Sequence, residues 1–208
     1  MRKSDSPHMK RSIYRLLEVA LLSCCLFACT RKEKTIKENP SIVNGFEEID
    51  SKTIPDNWLT YDCDEFSIRY PAAFMLDTSG YLKASLYLYT KLSYQGDTFS
   101  DNICVFMQDL TEKPMTLDDY IRLSEEQIMK YTEEPDIIVS DRKRRDGMEY
   151  HKLIYSEKQP GYRLVREQFI SIRNNKVYIL TLSCEEPLFD DYKETGEAIM
   201  SSFKLKNP

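Results

Sequence analysis

The sequence predicts an α+β domain with a mainly antiparallel sheet, and three observations support this prediction. From residue 62 onward, most of the chain consists of short segments in which apolar and polar residues alternate. Turn residues such as Asn174-Asn175 separate these segments at hairpin spacing. Two longer segments instead repeat apolar residues every three or four positions, as amphipathic helices do. The predicted order is β-β-β-α-β-β-β-β-α, with about six to seven strands in the sheet.

Three strands are predicted before the first helix, at 66–70, 81–92 and 101–110. Pro71 ends the first strand, because proline has no N–H group to donate to a ladder. In the second strand, one face is apolar and consists of Leu82, Ala84, Leu86 and Leu88. The third strand is apolar on both faces, so we expect it in the interior of the sheet.

The first helix is predicted to start after Thr116, which forms a plausible capping box with Asp119. A meander of four strands then follows, at 137–145, 148–157, 162–173 and 176–185. The last helix is predicted over about 187–203 and carries Gly196 on its apolar stripe. Glycine weakens a helix, so its place in this stripe predicts a close approach of the helix backbone to the sheet.

Composition and charge exclude several classes of protein. With 41% hydrophobic residues, the 208-residue chain has enough apolar material for one core and is not disordered throughout. The formal net charge is −5 at pH 7, so the chain has no overall positive field that would hold a polyanion. We therefore expect no nucleic acid partner.

Residues 1–28 have the pattern of a secretory signal peptide, with basic residues followed by an apolar run over 19–28. The run has about ten residues, too few to cross a bilayer as a helix. The leader ends in Leu26-Phe27-Ala28 before Cys29, which resembles the bacterial lipobox. The resemblance implies that Cys29 is acylated and becomes the new N-terminus.

Two details of the leader have alternatives. Cys24 and Cys25 are rival attachment positions; Cys24 follows Ser23, whereas Cys29 follows the alanine of the Leu-x-Ala-Cys pattern. Met9 offers a second start that leaves the mature chain unchanged. The leader carries five basic and two acidic residues, so its removal changes the net charge from −5 to −8. A mature chain with this negative charge is repelled by anionic lipids, so the lipid anchor must supply the membrane affinity.

Three parts follow from this organisation: a signal peptide at 1–28, a lipidated cysteine with a flexible tether at 29–55, and a globular domain at 56–208. The tether is polar and has no sustained apolar period. We expect the protein outside the cytoplasm, on the periplasmic face of the outer membrane, with the inner membrane and the other leaflet as alternatives. The membrane, through the anchor, and an envelope protein are the expected partners.

Several segments of the domain follow a known sequence pattern. One is the opening Phe66-Ser-Ile-Arg-Tyr-Pro-Ala-Ala-Phe74, in which Phe74 takes the place of the usual Trp. The pattern continues through Gly147, Asn175-Lys-Val-Tyr178 and the closing Ile199-Met-Ser-Ser-Phe203. In these segments the chain resembles the PsbP-like and DcrB-like family of bacterial lipoproteins. The resemblance covers about 62–205 and implies an α/β/α sandwich around the antiparallel sheet. It also implies binding or assembly roles without catalysis.

Catalytic and metal sites have little support in the sequence. His151 is the one histidine of the mature chain, and no nucleophile motif accompanies it. One histidine and three scattered cysteines give no zinc-ligand spacing. The acidic pairs and triplets lack a calcium-loop pattern. We therefore expect no catalytic residue, no cofactor and no metal.

The basic run Arg142, Lys143, Arg144 and Arg145 is the one concentrated positive patch. Alternation along a strand places Arg142 and Arg144 on one face and the other two on the opposite face. The run is expected to protect an edge strand from pairing with other chains. The alternative is a docking patch for an acidic partner or a lipid phosphate.

Cysteines and tyrosines leave further alternatives. Cys63 and Cys184 are candidates for a disulfide; otherwise the three thiols of the domain, including Cys104, stay free and buried. The tyrosines at 81, 87, 89 and 94 either form a binding platform or are covered by a helix.

The expected function is a non-enzymatic, membrane-anchored module that binds a protein or assists assembly in the cell envelope. A small-ligand carrier with a pocket between sheet and helix is the alternative. An enzyme with a reactive thiol ranks third.

Overall fold

A computed structural model describes residues 54–91, 99–145 and 148–206. The predicted signal peptide, Cys29 and almost all of the predicted tether lie outside the described residues, so the anchor stays a prediction. Within these ranges, no helix is both long enough and apolar enough to cross a membrane.

The described residues form ten strands and two α-helices. In chain order these are β1 (Leu59–Asp62), β2 (Phe66–Tyr70), β3 (Met75–Asp77), β4 (Leu86–Tyr89), β5 (Asn102–Asp109), α1 (Leu117–Tyr131), β6 (Asp136–Arg145), β7 (Met148–Gln159), β8 (Tyr162–Arg173), β9 (Lys176–Glu185), α2 (Phe189–Ser201) and β10 (Lys204–Leu205). Seven strands form one antiparallel sheet in the order β3-β4-β5-β9-β8-β7-β6. The other three form a small antiparallel sheet in the order β1-β2-β10.

The prediction of an α+β fold with a seven-stranded antiparallel sheet is confirmed. The four meander strands lie where they were predicted and pair in sequence order. Asn174 and Asn175 take φ values of 50° and 56°, the left-handed conformations that a two-residue hairpin turn requires. The other predicted turn, Asp146-Gly147, lies outside the described residues.

Two strand predictions need correction. The strand predicted over 81–92 begins at Leu86, because Tyr81–Lys83 form a 3-10 turn in which Leu82 has a φ of 51°. This positive φ takes Leu82 out of the extended conformation that the shared apolar face required. The strand at Phe66–Tyr70 joins the small sheet, because its neighbours there are β1 and β10.

The large sheet is covered on both faces, as expected for an α/β/α sandwich. On one face, α2 and the small sheet pack against strands β4, β5, β7, β8 and β9 in a core that includes Leu86, Leu182 and Phe203. On the other face, α1 packs Tyr120, Ile121 and Ile128 into a second cluster. The interior position predicted for β5 is confirmed, since it lies between β4 and β9.

Helix α1 begins at the predicted cap. The Thr116 hydroxyl oxygen accepts a hydrogen bond from the Asp119 backbone N–H at 3.1 Å, and the hydroxyl donates to the Asp119 carboxylate at 2.8 Å. This cap satisfies one of the four backbone donors that a helix leaves free at its start. Asp118 and Asp119 lie in the first turn, where negative charge is favourable.

Gly196 brings α2 close to the sheet, as its position in the apolar stripe predicted. A Cβ atom at this position would lie 2.7 Å from the Cδ2 atom of Leu182 on β9. Leu182 is itself buried in the core, so it has little room to move away.

We expect Gly196→Ala to destabilise the protein by about 1–2 kcal/mol, because overpacking against Leu182 outweighs the helix propensity gained, which is about 1 kcal/mol. Urea unfolding of the variant measures this change. Leu182→Val in the same chain should recover part of the loss by making room for the new methyl group. A Gly196→Ala variant more stable than the parent would show that helix propensity decides.

Candidate functional site

The basic run lies on β6, which is an edge strand of the large sheet as predicted. Its residues point to alternate faces. Arg142 forms ion pairs with Asp118 of α1 and, at 3.4 Å, with Glu149 of β7. Arg145 lies on the opposite face, over the rings of Tyr150 and Phe169.

The basic run is not a continuous exposed patch. The side chains of Arg142 and Lys143 are mostly covered, and Arg145 is only 7% exposed. Arg144 is the exposed member. A docking partner would therefore meet Arg144 first, and docking through all four residues stays a prediction.

Two features of β6 protect it from pairing with another strand. Its register with β7 shifts between Ile137 and Val139, so the strand is irregular there. Positive charge follows at Arg142 and Arg144. Irregular geometry and charge are both devices that natural sheets use at edges, so the structure favours the edge-protection interpretation.

Beside this edge an open groove of about 490 Å³ lies between α1 and β6. It is lined by Arg122, Glu125, Glu126, Met129, Lys130 and Ile137. Met129 is 57% exposed, and Ile138 on β6 is 54% exposed. Large apolar side chains at this exposure, with charged residues around them, are typical of surfaces that meet another protein.

His151 takes part in a contact that links α1, β6 and β7. Its Nε2 atom lies 2.9 Å from the Ser140 hydroxyl oxygen, and that hydroxyl donates its hydrogen to Glu125 of α1. Since the hydroxyl has one hydrogen, Nε2 must be the donor to Ser140. A histidine that activates a serine must instead accept its proton, with the carboxylate on the other ring nitrogen.

Burial and the charge of Arg142 also lower the pKa of His151. The ring is therefore neutral at pH 7, and the chain of contacts from Glu125 through Ser140 to His151 ties α1 to β6 and β7. Within the described ranges, no three histidine, cysteine or acidic residues come together as a metal site would need. The prediction that no metal is bound stays a prediction.

The three thiols in the described residues are free, and the Cys63–Cys184 disulfide is not formed. Cys63 donates instead to the Phe66 carbonyl oxygen at 3.4 Å, within the β1–β2 turn. Burial raises the pKa of Cys104 to about 11 and that of Cys184 still further. Both thiols are thus protonated at neutral pH, which opposes a nucleophilic role.

Of the tyrosines at 81, 87, 89 and 94, the three that the structure describes pack on one another and leave Tyr87 buried. Tyr87 is buried and stacks on Tyr89 with ring centres 5.3 Å apart, while Tyr81 lies 6.0 Å from Tyr87. Tyr94 lies outside the described residues. Tyr87 and Tyr89 point away from Leu86 and Leu88, as the alternation predicted.

The sequence reasoning missed two buried charge networks in the meander. On the α1 face, Arg166 donates to Glu157 at 2.9 Å and to the Ser183 hydroxyl oxygen at 2.6 Å. On the α2 face, Lys152 lies 2.7 Å from both Glu167 and Glu197. Charged residues in the middle of otherwise apolar strands were the sequence feature that could have predicted these networks.

The second network contains one cation for two carboxylates, and Glu167 is fully buried. Burial raises the pKa of Glu167 to about 7, while Lys152 opposes this rise and Glu197 adds to it. Lys152 keeps its charge because both carboxylates surround its ammonium group.

The comparison with known families assigns the domain. The PsbP family model matches residues 60–205, which is most of the chain. The chain therefore belongs to the PsbP family, as the resemblance predicted. No sequence match is found among curated proteins.

Solved structures share the fold. One is the cyanobacterial PsbP, CyanoP, from Synechocystis sp. PCC 6803, with 15% identity, a TM-score of 0.52, and coverage of 74% of this chain and 96% of that one. Another is PA94 from Pseudomonas aeruginosa, a protein of unknown function, with 15% identity, a TM-score of 0.51, and coverage of 73% and 99%. At this identity the likeness shows the fold alone.

Glu167 should make the stability depend on pH. Its pKa in the folded protein lies above the ordinary 4.5, so the free energy of unfolding should fall as the pH rises from about 4.5 to about 7. Glu167→Gln removes this buried charge. We expect the variant to match the parent near pH 4.5 and to be about 1–3 kcal/mol more stable at pH 8.

Urea unfolding at both pH values measures the difference. Glu126→Gln, on the exposed side of α1, should keep the pH slope of the parent. If Glu167→Gln is less stable than the parent at pH 8, Lys152 fully compensates the charge of Glu167 and the expectation is wrong.

Proposed function

We propose that the protein is a lipoprotein anchored through Cys29 whose PsbP-family domain binds a protein partner in the cell envelope without catalysing a reaction. The observation that carries this proposal is the combination of a lipobox-like Leu26-Phe27-Ala28-Cys29 with a PsbP-family domain at 60–205. The family assignment is compatible with an envelope module. The anchor and the partner are the parts that experiments must test.

The anchor would hold the domain at the periplasmic face of the outer membrane. Acyl chains contribute about 0.8 kcal/mol per buried methylene, so two or three chains on one cysteine give stable attachment. The predicted tether of 29–55 would keep the acidic domain away from lipid headgroups, at a distance of about 25–30 Å.

A non-enzymatic role is supported by the chemistry of the described residues. The thiols of Cys104 and Cys184 are protonated at neutral pH, and His151 is bound as a donor to Ser140. These three groups are thus engaged in packing or in a structural hydrogen bond.

The partner would bind at the groove between α1 and β6 and at the end of the basic run. Met129 supplies exposed apolar area in the groove, and Arg144 supplies an exposed positive charge at the same edge of the sheet. A partner with an apolar segment flanked by acidic residues fits this surface.

A small-ligand carrier has less support. Such a carrier needs an enclosed apolar cavity, whereas the described residues between the large sheet and its helices pack into two apolar clusters. The groove beside β6 is open to solvent rather than enclosed.

Cys29→Ser should leave the protein unprocessed or release it from the membrane, because the serine hydroxyl cannot carry the thioether-linked lipid. Membrane fractionation and gel mobility of the variant in its native host measure this. Cys24→Ser and Cys25→Ser are matched controls and should stay membrane-bound. Normal processing and membrane attachment of Cys29→Ser would overturn the anchor.

Arg144→Glu should slow association with the partner about 2- to 10-fold at low salt and reduce the salt dependence of the rate, because exposed charges act mainly on encounter. Capture from detergent-solubilised membranes identifies the partner, and binding kinetics then measure the effect. Arg173→Glu, an equal charge change at the exposed end of β8, is the control.

Arg145 is unsuitable for this charge reversal, because a glutamate at its buried position would destabilise the fold. If Arg144→Glu binds normally but aggregates, the basic run serves edge protection and the docking proposal fails.

A further inference from the structure

Arg145 is a buried cation for which the described residues supply no counter-ion. It is 7% exposed, and its guanidinium carbon lies 5.8 Å from the centre of the Tyr150 ring and 5.9 Å from that of Phe169. Its Nε atom is buried and has no hydrogen-bond acceptor. Arginine does not lose its charge in proteins, so burial of this group without an anion is strongly unfavourable.

Tyr150 presents a second unsatisfied donor next to Arg145. The residue is 4% exposed, and its hydroxyl is buried without a hydrogen-bond partner. Its ring packs on Phe169 with centres 4.8 Å apart, which holds the side chain in place. Buried hydroxyl and guanidinium donors are nearly always satisfied in proteins, so these two unpartnered donors on side chains that lie against each other indicate an acceptor that the described residues do not supply.

The nearby carboxylates form ion pairs with lysine side chains, although neither oxygen of Glu167 has a hydrogen-bond partner of good geometry. Glu167 and Glu197 both lie 2.7 Å from the Lys152 ammonium group. Asp141 lies 3.8 Å from Lys143, whose backbone is directly opposite Tyr150 in the β6–β7 register. Burial raises the pKa of Tyr150, and the positive charges of Arg145, Lys152 and Lys143 oppose this rise. The negative charge of Glu197 acts in the same direction as burial.

We propose that Arg145 and Tyr150, with Lys143 beside them, form a binding site for an oxyanion, namely a carboxylate or phosphate group of a ligand. An oxyanion accepts hydrogen bonds only, so it satisfies the guanidinium and the hydroxyl together. It also neutralises the guanidinium, which a water molecule does not do. Arg145 ends the edge strand β6, so a ligand approaches from the side of the sheet.

This site differs from the proposed docking surface. It lies on the α2 face of the large sheet, whereas the groove lined by Met129 and Ile137 lies beside α1. The proposed oxyanion site therefore does not depend on whether a protein partner binds the groove.

The test uses the globular chain without its leader and lipid, with inorganic phosphate and acetate as probes and potassium chloride at equal ionic strength as reference. NMR follows the Nε–H resonance of Arg145, and thermal unfolding follows ligand-dependent stability. We expect phosphate or acetate to shift this resonance and to raise the melting temperature with saturation. A response to phosphate alone assigns a phosphate group, and a response to acetate alone assigns a carboxylate.

Two variants separate the site from general salt effects. Tyr150→Phe keeps the ring under Arg145 and removes the hydroxyl, so affinity should fall about ten-fold. Arg145→Met keeps much of the packing and removes the charge, so the saturable response should disappear. Arg122→Met removes an exposed arginine from α1 and should bind as the parent does.

Three results would overturn the proposal. In the first, neither probe shifts the Arg145 resonance beyond the effect of chloride. In the second, Arg145→Met and Arg122→Met weaken the response equally, which indicates nonspecific screening. In the third, Tyr150→Phe binds as tightly as the parent. If Arg145→Met does not fold, the Tyr150→Phe affinity and the resonance of the parent still decide the question.

Discussion

Burial of the β7–β8–β9 meander on both faces is the constraint on which the rest of the structure depends. Most residues in the middle of these strands point into one of two packed layers, so a charge placed there must find its partner inside the protein. Glu157 and Arg166 meet on the α1 face, and Lys152 and Glu167 meet on the α2 face. A one-residue slip between β7 and β8 would move these charges to opposite faces and leave them unpaired. The networks thus strengthen the register that apolar packing alone would define.

The same constraint determines how the outer elements attach. The α2 helix approaches the sheet so closely at Gly196 that a methyl group there would clash with Leu182. The next residue of the helix, Glu197, forms an ion pair with Lys152 of the sheet. The chain after α2 continues into β10, which pairs with β2 and closes the small sheet over the same face. The close approach, the buried ion pairs and the small sheet are therefore parts of one packing arrangement.

The local parts of this structure were predictable from the sequence, and the reasons are specific. The Asn174-Asn175 turn, the Thr116 cap and the close approach at Gly196 each depend on residue types with strong conformational preferences. The strand predicted at 81–92 was partly wrong, because alternation cannot show that Leu82 has a positive φ. The second sheet was missed because its three strands come from distant parts of the chain. The burial of Arg145 was missed for a related reason, since Tyr150 and Phe169 reach it from two other strands.

The basic run shows how a strand with a period of two can serve two purposes at one edge. Arg142 and Arg144 point to the α1 face, where Arg142 is ion-paired and mostly covered and Arg144 places an exposed charge at the edge. Lys143 and Arg145 point to the α2 face, where aromatic rings cover Arg145. Edge protection needs charge that stays hydrated, whereas anion binding needs charge that is shielded from water. Because successive side chains of a strand point to opposite faces, the four residues 142–145 provide both a hydrated and a shielded charge. A substitution on the α1 face can therefore change the charge there without changing the surroundings of Arg145 on the α2 face.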